Sequence, residues 1–268
     1  DLAGGNVVGS DPHANTETAS GSLTDAVTGG VGALTFTLVG NAAGQYGQIL
    51  LNPDGSYTYT LTSAPNSPNH VNDGPNVITE SFTYQVKDSL GNSTTSTIVI
   101  SIVDDVPKAH CDFAHVTEGD SISGNVLAND VVGADVRGDG QYVVGVRAGN
   151  DTSTSVLGHV GDQINGLYGY LTLDAQGNAT YHANPNQDLP PWATDTFVYT
   201  IRDADGDEST TTISVKVLDS QLVAGTDSEV TVYEKALDLS KDGNDLAGGN
   251  VVGSDPHANT ETASGSLT

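Results

Sequence analysis

The feature that most constrains this chain is a perfect internal repeat. Asp1–Thr24 reads DLAGGNVVGSDPHANTETASGSLT, and Asp245–Thr268 reads the same letters. The two copies begin 244 residues apart, at Asp1 and Asp245. Identity over 24 residues does not arise by chance. The sequence therefore predicts an array in which one long unit recurs and each module contacts mainly its neighbours.

A weaker repeat divides the long unit into two related halves. Gly47–Tyr59 (GQILLNPDGSYTY) resembles Gly169–Tyr181 (GYLTLDAQGNATY), at an offset of 122 residues. Ser81–Asp105 resembles Thr196–Ser220, at an offset of 115 residues. Both offsets are close to half of the long unit, so the unit is predicted to hold two related domains.

The domain boundaries follow from these matches. We predict one repeat domain over residues 1–105, a second over 106–220, and the start of the next copy over 221–268. The break falls after the pair Asp104-Asp105, because Pro107 ends the strand pattern there.

The first domain is expected to lack its own first strand. The second domain opens with Val116–Asp130, and the related opening of the first domain lies near the other end of the chain, at Val230–Lys235. An unpaired sheet edge invites a strand from a neighbouring molecule. We therefore expect residues 226–268 either to exchange a strand with a neighbouring copy or to stay partly loose.

The secondary structure is predicted to be almost entirely β. Polar and apolar residues alternate with period two between turn signals such as Asn52-Pro53-Asp54-Gly55. Only 36% of the residues are hydrophobic, which suits the thin core of an all-β sandwich. The predicted strands are Ala33–Val39, Gln48–Leu51, Ser56–Leu61, Glu80–Lys87, Thr94–Val103, Tyr142–Arg147, Gly169–Leu173, Asn178–Ala183, Thr194–Arg202 and Thr210–Leu218.

The net charge of −26, from 34 acidic and 8 basic residues, restricts the partners. So negative a surface repels nucleic acid and anionic lipid, and no segment is apolar enough to enter a membrane. The modules also repel one another unless divalent cations neutralise them, although the charge alone also fits a role in solubility. Cys111 is the only cysteine, which excludes an intramolecular disulfide and suggests a small buried side chain.

The strongest chemical signal is Asp203-Ala204-Asp205-Gly206-Asp207. Carboxylates at alternate positions around a glycine turn can surround one Ca²⁺, whereas the plainer interpretation is an acidic hairpin turn. In a sandwich this loop lies where the chain enters the domain. We therefore predict that carboxylates of the loop and of the linker bind the same calcium ions. The predicted ligands are Asp104, Asp105, Glu118, Asp130, Asp203, Asp205 and Asp207.

Other candidate metal sites are weaker, and for each of them a plain turn or loop is the favoured interpretation. They are Asp88–Asn92, Asp135 with Gly138–Gly140, Asp242 within the β-roll-like Lys241–Asn250, and the cluster of His110, Cys111 and His115. The histidine and cysteine cluster would suit Zn²⁺ but lacks a second ligand pair.

No constellation of an enzyme is present in the sequence. There is no nucleophile elbow, protease cysteine signature or phosphate loop, so we predict that the chain is not an enzyme. A binding module remains an alternative. Its platform for a glycan or protein would be Trp192 or Tyr168-Gly169-Tyr170.

Several stretches resemble a known repeat class. Glu118-Gly119, Gly124–Asp130 (GNVLAND), Phe197–Asp207 (FVYTIRDADGD) and the closing Val217–Asp219 resemble the cadherin-like or VCBS-type repeats of large RTX-type bacterial biofilm adhesins. The first domain carries a divergent version at Phe82–Asn92. The resemblance covers most of the chain.

That resemblance implies tandem Ig-like or cadherin-like β-sandwiches in a secreted, cell-surface protein. It also implies Ca²⁺ between and within repeats, and a part in attachment and biofilm formation. Repeats at the centre of such proteins act mainly as extenders whose partners are adjacent repeats of the same chain. The leading hypothesis is therefore an extender stiffened by Ca²⁺ at its junctions, and the alternative is a ligand-binding adhesion module.

Overall fold

The computed structural model describes residues 9–11, 13–65, 74–220, 225, 230–237, 239 and 252–256. The chain forms two compact units, Asp1–Ser220 and Gln221–Thr268. The first unit contains two β-sandwiches in succession, which confirms the predicted all-β fold of tandem sandwich domains.

The first sandwich packs two antiparallel three-stranded sheets, ordered β1-β4-β3 and β2-β5-β6. Alternation along the strands decides which side chains are buried, so that Ile49 and Tyr59 face the core between outward-facing polar residues. Its strands are β1 (Thr18–Ser22), β2 (Thr35–Val39), β3 (Gly47–Leu51), β4 (Ser56–Leu61), β5 (Val77–Lys87) and β6 (Ser93–Val103).

The second sandwich packs two four-stranded sheets, ordered β10-β11-β12-β8 and β7-β14-β13-β9. Strand β7 lies parallel to β14, and the other pairings are antiparallel. Its strands are β7 (Asp112–Thr117), β8 (Ser121–Asn125), β9 (Val143–Ala148), β10 (Gln163–Asn165), β11 (Gly169–Leu173), β12 (Asn178–Ala183), β13 (Thr194–Arg202) and β14 (Glu208–Leu218).

A buried tyrosine and carboxylate tie the two sheets of each sandwich together. In the first sandwich the Tyr59 hydroxyl donates to Glu80 at 2.8 Å. In the second, the Tyr181 hydroxyl donates to Asp195 at 2.7 Å, and Asp195 also accepts the N–H groups of Leu167 and Tyr168. Burial of these carboxylates is offset by the hydrogen bonds that they accept, so each bridge fixes one sheet and one loop against the other sheet.

The outer edge of β6 differs from the equivalent edge of the second sandwich. There, β7 pairs with Ile213–Leu218 of β14, whose counterparts 115 residues earlier are Ile98–Val103 of β6. Within the described part of the chain, no strand pairs with this edge of β6. Val99 and Val103 are exposed along β6.

The second unit is a short folded segment. Its 3₁₀ turn spans Glu234–Ala236, and Ala236 is buried. The Lys235 side chain lies 3.6 Å from the Asp255 carboxylate, and the Asp255 N–H donates to the Lys235 carbonyl at 2.6 Å. The predicted exchange of a strand through residues 226–268 stays a prediction.

The expected burial of Cys111 is wrong, since its free thiol is exposed. It lies in the connection just before β7. Within the described residues, no helix has both the length and the apolar character needed to cross a membrane.

Candidate calcium site

Five buried aspartates converge where the first sandwich meets the second. Asp104 follows β6, Asp135 lies in the loop between β8 and β9, and the other three lie in the loop joining β13 to β14. Their relative exposures are between 1% and 4%. Carboxylates are rarely buried so completely without a compensating charge. We call Asp104, Asp135, Asp203, Asp205 and Asp207 the aspartate cluster.

The loop from β13 to β14 is shaped by its own first carboxylate. Asp203 Oδ1 accepts the N–H of Gly206 at 3.0 Å and that of Asp207 at 2.8 Å. Gly206 adopts φ = 117°, a conformation that favours glycine. The Ala204 N–H donates to the Asp135 carbonyl at 3.0 Å, which fastens this loop to the loop before β9.

The first sandwich contributes backbone as well as Asp104. The Asp104 N–H donates to the Asn76 carbonyl at 2.9 Å, and the Asn76 side-chain amide donates to Asp104 Oδ2 at 3.3 Å. The Gly74 N–H reaches across to Asp207 Oδ1 at 3.1 Å. The cluster therefore joins two domains rather than belonging to one.

Several buried oxygen atoms of the cluster accept no hydrogen bond from any described residue. They are Asp104 Oδ1, Asp135 Oδ2, Asp203 Oδ2 and both side-chain oxygens of Asp205. None of the ion pairs between described residues involves Asp104, Asp135, Asp203 or Asp205. Buried oxygens of this kind are explained by a bound ion or by protonation.

The cluster contains two sets of three carboxylates that share Asp205. The first set is Asp104, Asp205 and Asp207, and the second is Asp135, Asp203 and Asp205. In each set, one oxygen per residue lies within 4.8 Å of the others. This spacing suits Ca²⁺, whose oxygen ligands lie about 2.3–2.6 Å from the ion.

Burial and mutual repulsion shift the titration of the cluster. Desolvation, followed by the charges of Asp205 and Asp207, raises the pKa of Asp104 to about 7. Desolvation, followed by the charges of Asp205 and Asp104, raises the pKa of Asp135 to about 7. Desolvation also raises the pKa of Asp203, with a further contribution from Asp205. Without a cation the cluster thus favours bound protons near neutral pH.

The structure brings together Asp104, Asp203, Asp205 and Asp207 of the predicted calcium ligands. Asp105 lies beside them, and its carboxylate accepts the N–H of Ser10 at 2.7 Å and that of Ala134 at 2.9 Å. The bond from Ala134 holds the loop that carries Asp135. Whether any of these residues binds calcium stays a prediction.

Two predicted ligands, Glu118 and Asp130, belong to neither ligand set, and each of these carboxylates accepts hydrogen bonds from other residues. Glu118 follows the far end of β7 and accepts the Ser220 hydroxyl at 2.6 Å and the Gln187 N–H at 2.7 Å. Because β7 runs away from the linker, Glu118 lies about 20 Å from the first residue of β7. Asp130 uses its two oxygens on the His110 N–H at 2.6 Å and the Tyr199 hydroxyl at 2.9 Å.

The sequence favours a plain loop at Asp135, whereas the structure places this residue in the aspartate cluster. The signal that identifies it is the internal repeat, because VVGAD at Val131–Asp135 recurs as VVGSD at Val7–Asp11 and Val251–Asp255. The recurrence marks a structural position at the start of each domain.

The remaining candidates behave as turns or fall outside the described residues. Asp88 accepts the N–H groups of Leu90 and Asn92, each at 2.9 Å, as the turn interpretation expects. The only groups of three or more potential ligands within the described residues are the two aspartate sets, so His110, Cys111 and His115 form no such group. Asp242 lies outside the described residues.

The family model that describes the bacterial cadherin-like domain matches residues 4–104 and again 104–219. The chain belongs to the bacterial cadherin-like domain family. Both matches end at the aspartates that close a domain, Asp104 and Asp219.

One curated relative and two solved structures illustrate the similarity. The bacterial cadherin-like chain is 29% identical over 171 residues to the calcium-binding lectin RapA2 of Rhizobium johnstonii, covering 61% of this chain and 68% of RapA2. A protocadherin gammaB7 structure matches at TM-score 0.29 and 15% identity, covering 69% of this chain and 41% of the other. An endo-fucoidan hydrolase of glycoside hydrolase family 107 matches at TM-score 0.24 and 14% identity, covering 71% of this chain and 24% of the other. The chain thus spans less than half of each solved structure.

Proposed function

We propose that the two sandwiches act as a calcium-stiffened spacer in a secreted, surface-bound adhesin, and that their parent protein takes part in attachment and biofilm formation. Membership of the bacterial cadherin-like family and likeness to a calcium-binding lectin support an adhesion role outside the cell. The same comparisons suggest a non-enzymatic domain.

The observation that carries the calcium proposal is the aspartate cluster at the junction. Two unit charges 4 Å apart repel by about 4 kcal/mol at the effective dielectric of a protein surface. Five such carboxylates would therefore push the sandwiches apart or take up protons. A divalent cation between them reverses the sign of this interaction.

The two ligand sets would hold one cation each, with Asp205 shared between them. Asp104 of the linker belongs to one set of ligands, and Asp135 of the second sandwich belongs to the other. Ions held this way would connect the end of β6 to two loops of the second sandwich. Such a connection fixes the angle between the domains, which is the property that an extender needs.

Adjacent repeats of the same chain are the partners in this proposal. We also propose that the outer edge of β6 accepts the segment around Val230–Lys235 from a neighbouring copy, as β14 accepts β7. In support, His115-Val116-Thr117-Glu118 matches Thr231-Val232-Tyr233-Glu234 at the valine and at the glutamate.

Small-angle scattering of the chain in millimolar Ca²⁺ and in chelator tests the spacer. We expect a smaller spread of interdomain distances with calcium, together with a higher melting temperature. The double substitution Asp104→Asn and Asp205→Asn should abolish both changes. A scattering profile and melting temperature that do not respond to calcium would contradict the proposal.

A further inference from the structure

The outer face of the sheet β10-β11-β12-β8 is free of formal charge along its strands. Residues that alternate with the buried Leu171, Leu173 and Tyr181 point away from the core. On all four strands these outward residues are Ser, Thr, Asn, Gln, Tyr or His, and none is Asp, Glu, Lys or Arg. We call this surface the neutral face.

As on the outward residues of β1, β3 and β4 in the first sandwich, no strand residue of the neutral face in the second sandwich carries a formal charge, although the net charge of the protein is −26. The opposite sheet of the same sandwich carries Arg202, Glu208 and Lys216 along β13 and β14. Three aspartates directly flank these strands in sequence, Asp120, Asp162 and Asp174, and Asp174 accepts the Asn178 side-chain amide at 2.9 Å.

Two rings form the centre of the neutral face. Tyr170 on β11 and His182 on β12 are directly paired across the strands. Their ring centroids lie 4.8 Å apart with an angle of 22° between the planes, and both side chains are partly exposed. An aromatic ring among hydrogen-bonding side chains can make apolar contact with a ligand while the polar groups fix the orientation of that ligand.

The polar neighbours of the rings are held in place by one another. The hydroxyls of Ser123 and Thr180 lie 2.9 Å apart, and the Asn125 side-chain amide donates to Asn178 Oδ1 at 3.1 Å. Ser123, Thr180 and Asn178 keep unused donor or acceptor capacity for a ligand, whereas Asn125 donates both amide hydrogens, to Asn178 Oδ1 and to the Gln176 carbonyl. Preorganised groups of this kind lose little conformational entropy on binding.

The same fold without the rings is present in the first sandwich. By the repeat, Gln48 occupies the position of Tyr170 and Thr60 that of His182, and these two residues are likewise paired across β3 and β4. The ring pair is therefore not required to build the sheet. It is a feature of the second domain alone within this repeat unit.

We propose that the neutral face of the second domain binds an uncharged polysaccharide. The C–H groups on one side of a sugar ring pack against an aromatic ring, while its hydroxyls bond to Ser, Thr and Asn side chains. An anionic polysaccharide would be repelled by the acidic protein, and an apolar ligand would leave the hydroxyls and amides unpaired. Because the long unit recurs, the parent protein would present one such site per unit, and weak sites would add up through multivalency.

Affinity electrophoresis of the whole chain in native gels tests this inference. The probes are hydroxyethyl cellulose, galactomannan and dextran as neutral polymers, and alginate as an anionic one, all at the same calcium concentration. The variant Tyr170→Gln with His182→Thr installs the pair that the first sandwich already carries. The control is Trp192→Ala, which removes an exposed aromatic side chain outside the four strands of the neutral face. The melting temperature of each variant shows whether it is folded.

We expect at least one neutral polymer to retard the chain, and the double variant to weaken that binding at least about tenfold, or about 1.4 kcal/mol. Trp192→Ala should bind as the unsubstituted chain does. Installing Tyr at position 48 and His at 60, through Gln48→Tyr with Thr60→His, should strengthen retardation.

Three results would overturn the inference. They are retardation by none of the neutral polymers, retardation by alginate alone, and binding that survives in the folded double variant but is lost in Trp192→Ala. The inference does not depend on calcium at the junction, so it and the spacer proposal can fail separately.

Discussion

The backbone N–H of Gly74, in the first sandwich, donates to the Asp207 carboxylate of the second at 3.1 Å. Asp207 also belongs to the ligand set that contains Asp104. The Asp207 carboxylate thus accepts a backbone hydrogen bond from the first domain, while its position is set by the loop between β13 and β14 of the second. A cation bound by Asp207 would also order this contact, and ion binding would then be coupled to the interdomain angle.

Asp205 is predicted to be the most sensitive position for calcium, because it belongs to both ligand sets. Asp205→Asn replaces a charged oxygen pair by one neutral oxygen. We expect calcium affinity to fall at least about tenfold by titration calorimetry. At a concentration of 100 times the original Kd, the stabilisation by calcium would then fall from about 2.7 to about 1.4 kcal/mol.

The control for that experiment is Asp25→Asn, which makes the same change of net charge at an exposed residue. It should leave calcium affinity unaltered. Equal losses in the two variants would show that calcium responds to overall charge rather than to the cluster.

Stability in chelator is predicted to fall as pH rises. The pKa values of Asp104 and Asp135 are raised to about 7 in the folded chain, against about 3.9 when unfolded. Between these values the folded state holds more protons than the unfolded state, so its stability decreases by up to about 1.4 kcal/mol per pH unit for each carboxyl. Urea denaturation at pH 5 and pH 8 measures this.

Calcium should reverse the trend, because only the deprotonated carboxylates bind it. The variant Asp104→Asn with Asp135→Asn should flatten the pH dependence in chelator. A chelated, unsubstituted chain that is more stable at pH 8 than at pH 5 would exclude the cluster as the titrating group.

The buried bridge between Tyr181 and Asp195 is predicted to matter more for stability than any surface contact. Tyr181→Phe removes one hydrogen bond to a charged group and should cost about 1.5–3 kcal/mol. Asp195→Ala also leaves the N–H groups of Leu167 and Tyr168 without their acceptor, so it should cost about 3–5 kcal/mol. Denaturant unfolding checks both, and Tyr170→Phe, on the outer face, should change little.

The sequence predicts a strand only where polar and apolar residues visibly alternate. In strand β11, Leu171 and Leu173 alternate with polar residues, so the period of two predicts this strand. Strand β1 reads TASGS and was missed, because an edge strand of small polar residues has no apolar face to reveal it. Strand β10, with three residues, was missed because it is too short to show a period.

The candidate site divides in the same way. Asp203, Asp205 and Asp207 lie at alternate positions of one short loop, so the sequence alone predicts that their carboxylates lie close together. Asp135 reaches them only through the path of the loop after β8, which no local pattern encodes. The distance of Glu118 from the linker depends on the direction of β7. The motif Val116–Asp130 does not reveal that direction, so the sequence predicted the wrong position for Glu118.

Strand exchange is predicted to depend on one face of the segment Thr231–Val232. By the match to β7, Val232 corresponds to Val116, which is buried beside Val217, and Thr231 corresponds to the exposed His115. A carboxylate at Val232 would enter the core of the first sandwich beside β6, whereas one at Thr231 would face water. We therefore expect Val232→Asp to prevent association between chains and Thr231→Asp to permit it, although both add the same charge. Sedimentation velocity over a concentration series measures this. The exchange is contradicted if the unsubstituted chain stays monomeric throughout, or if both variants associate equally, because a donated strand must bury one face and expose the other.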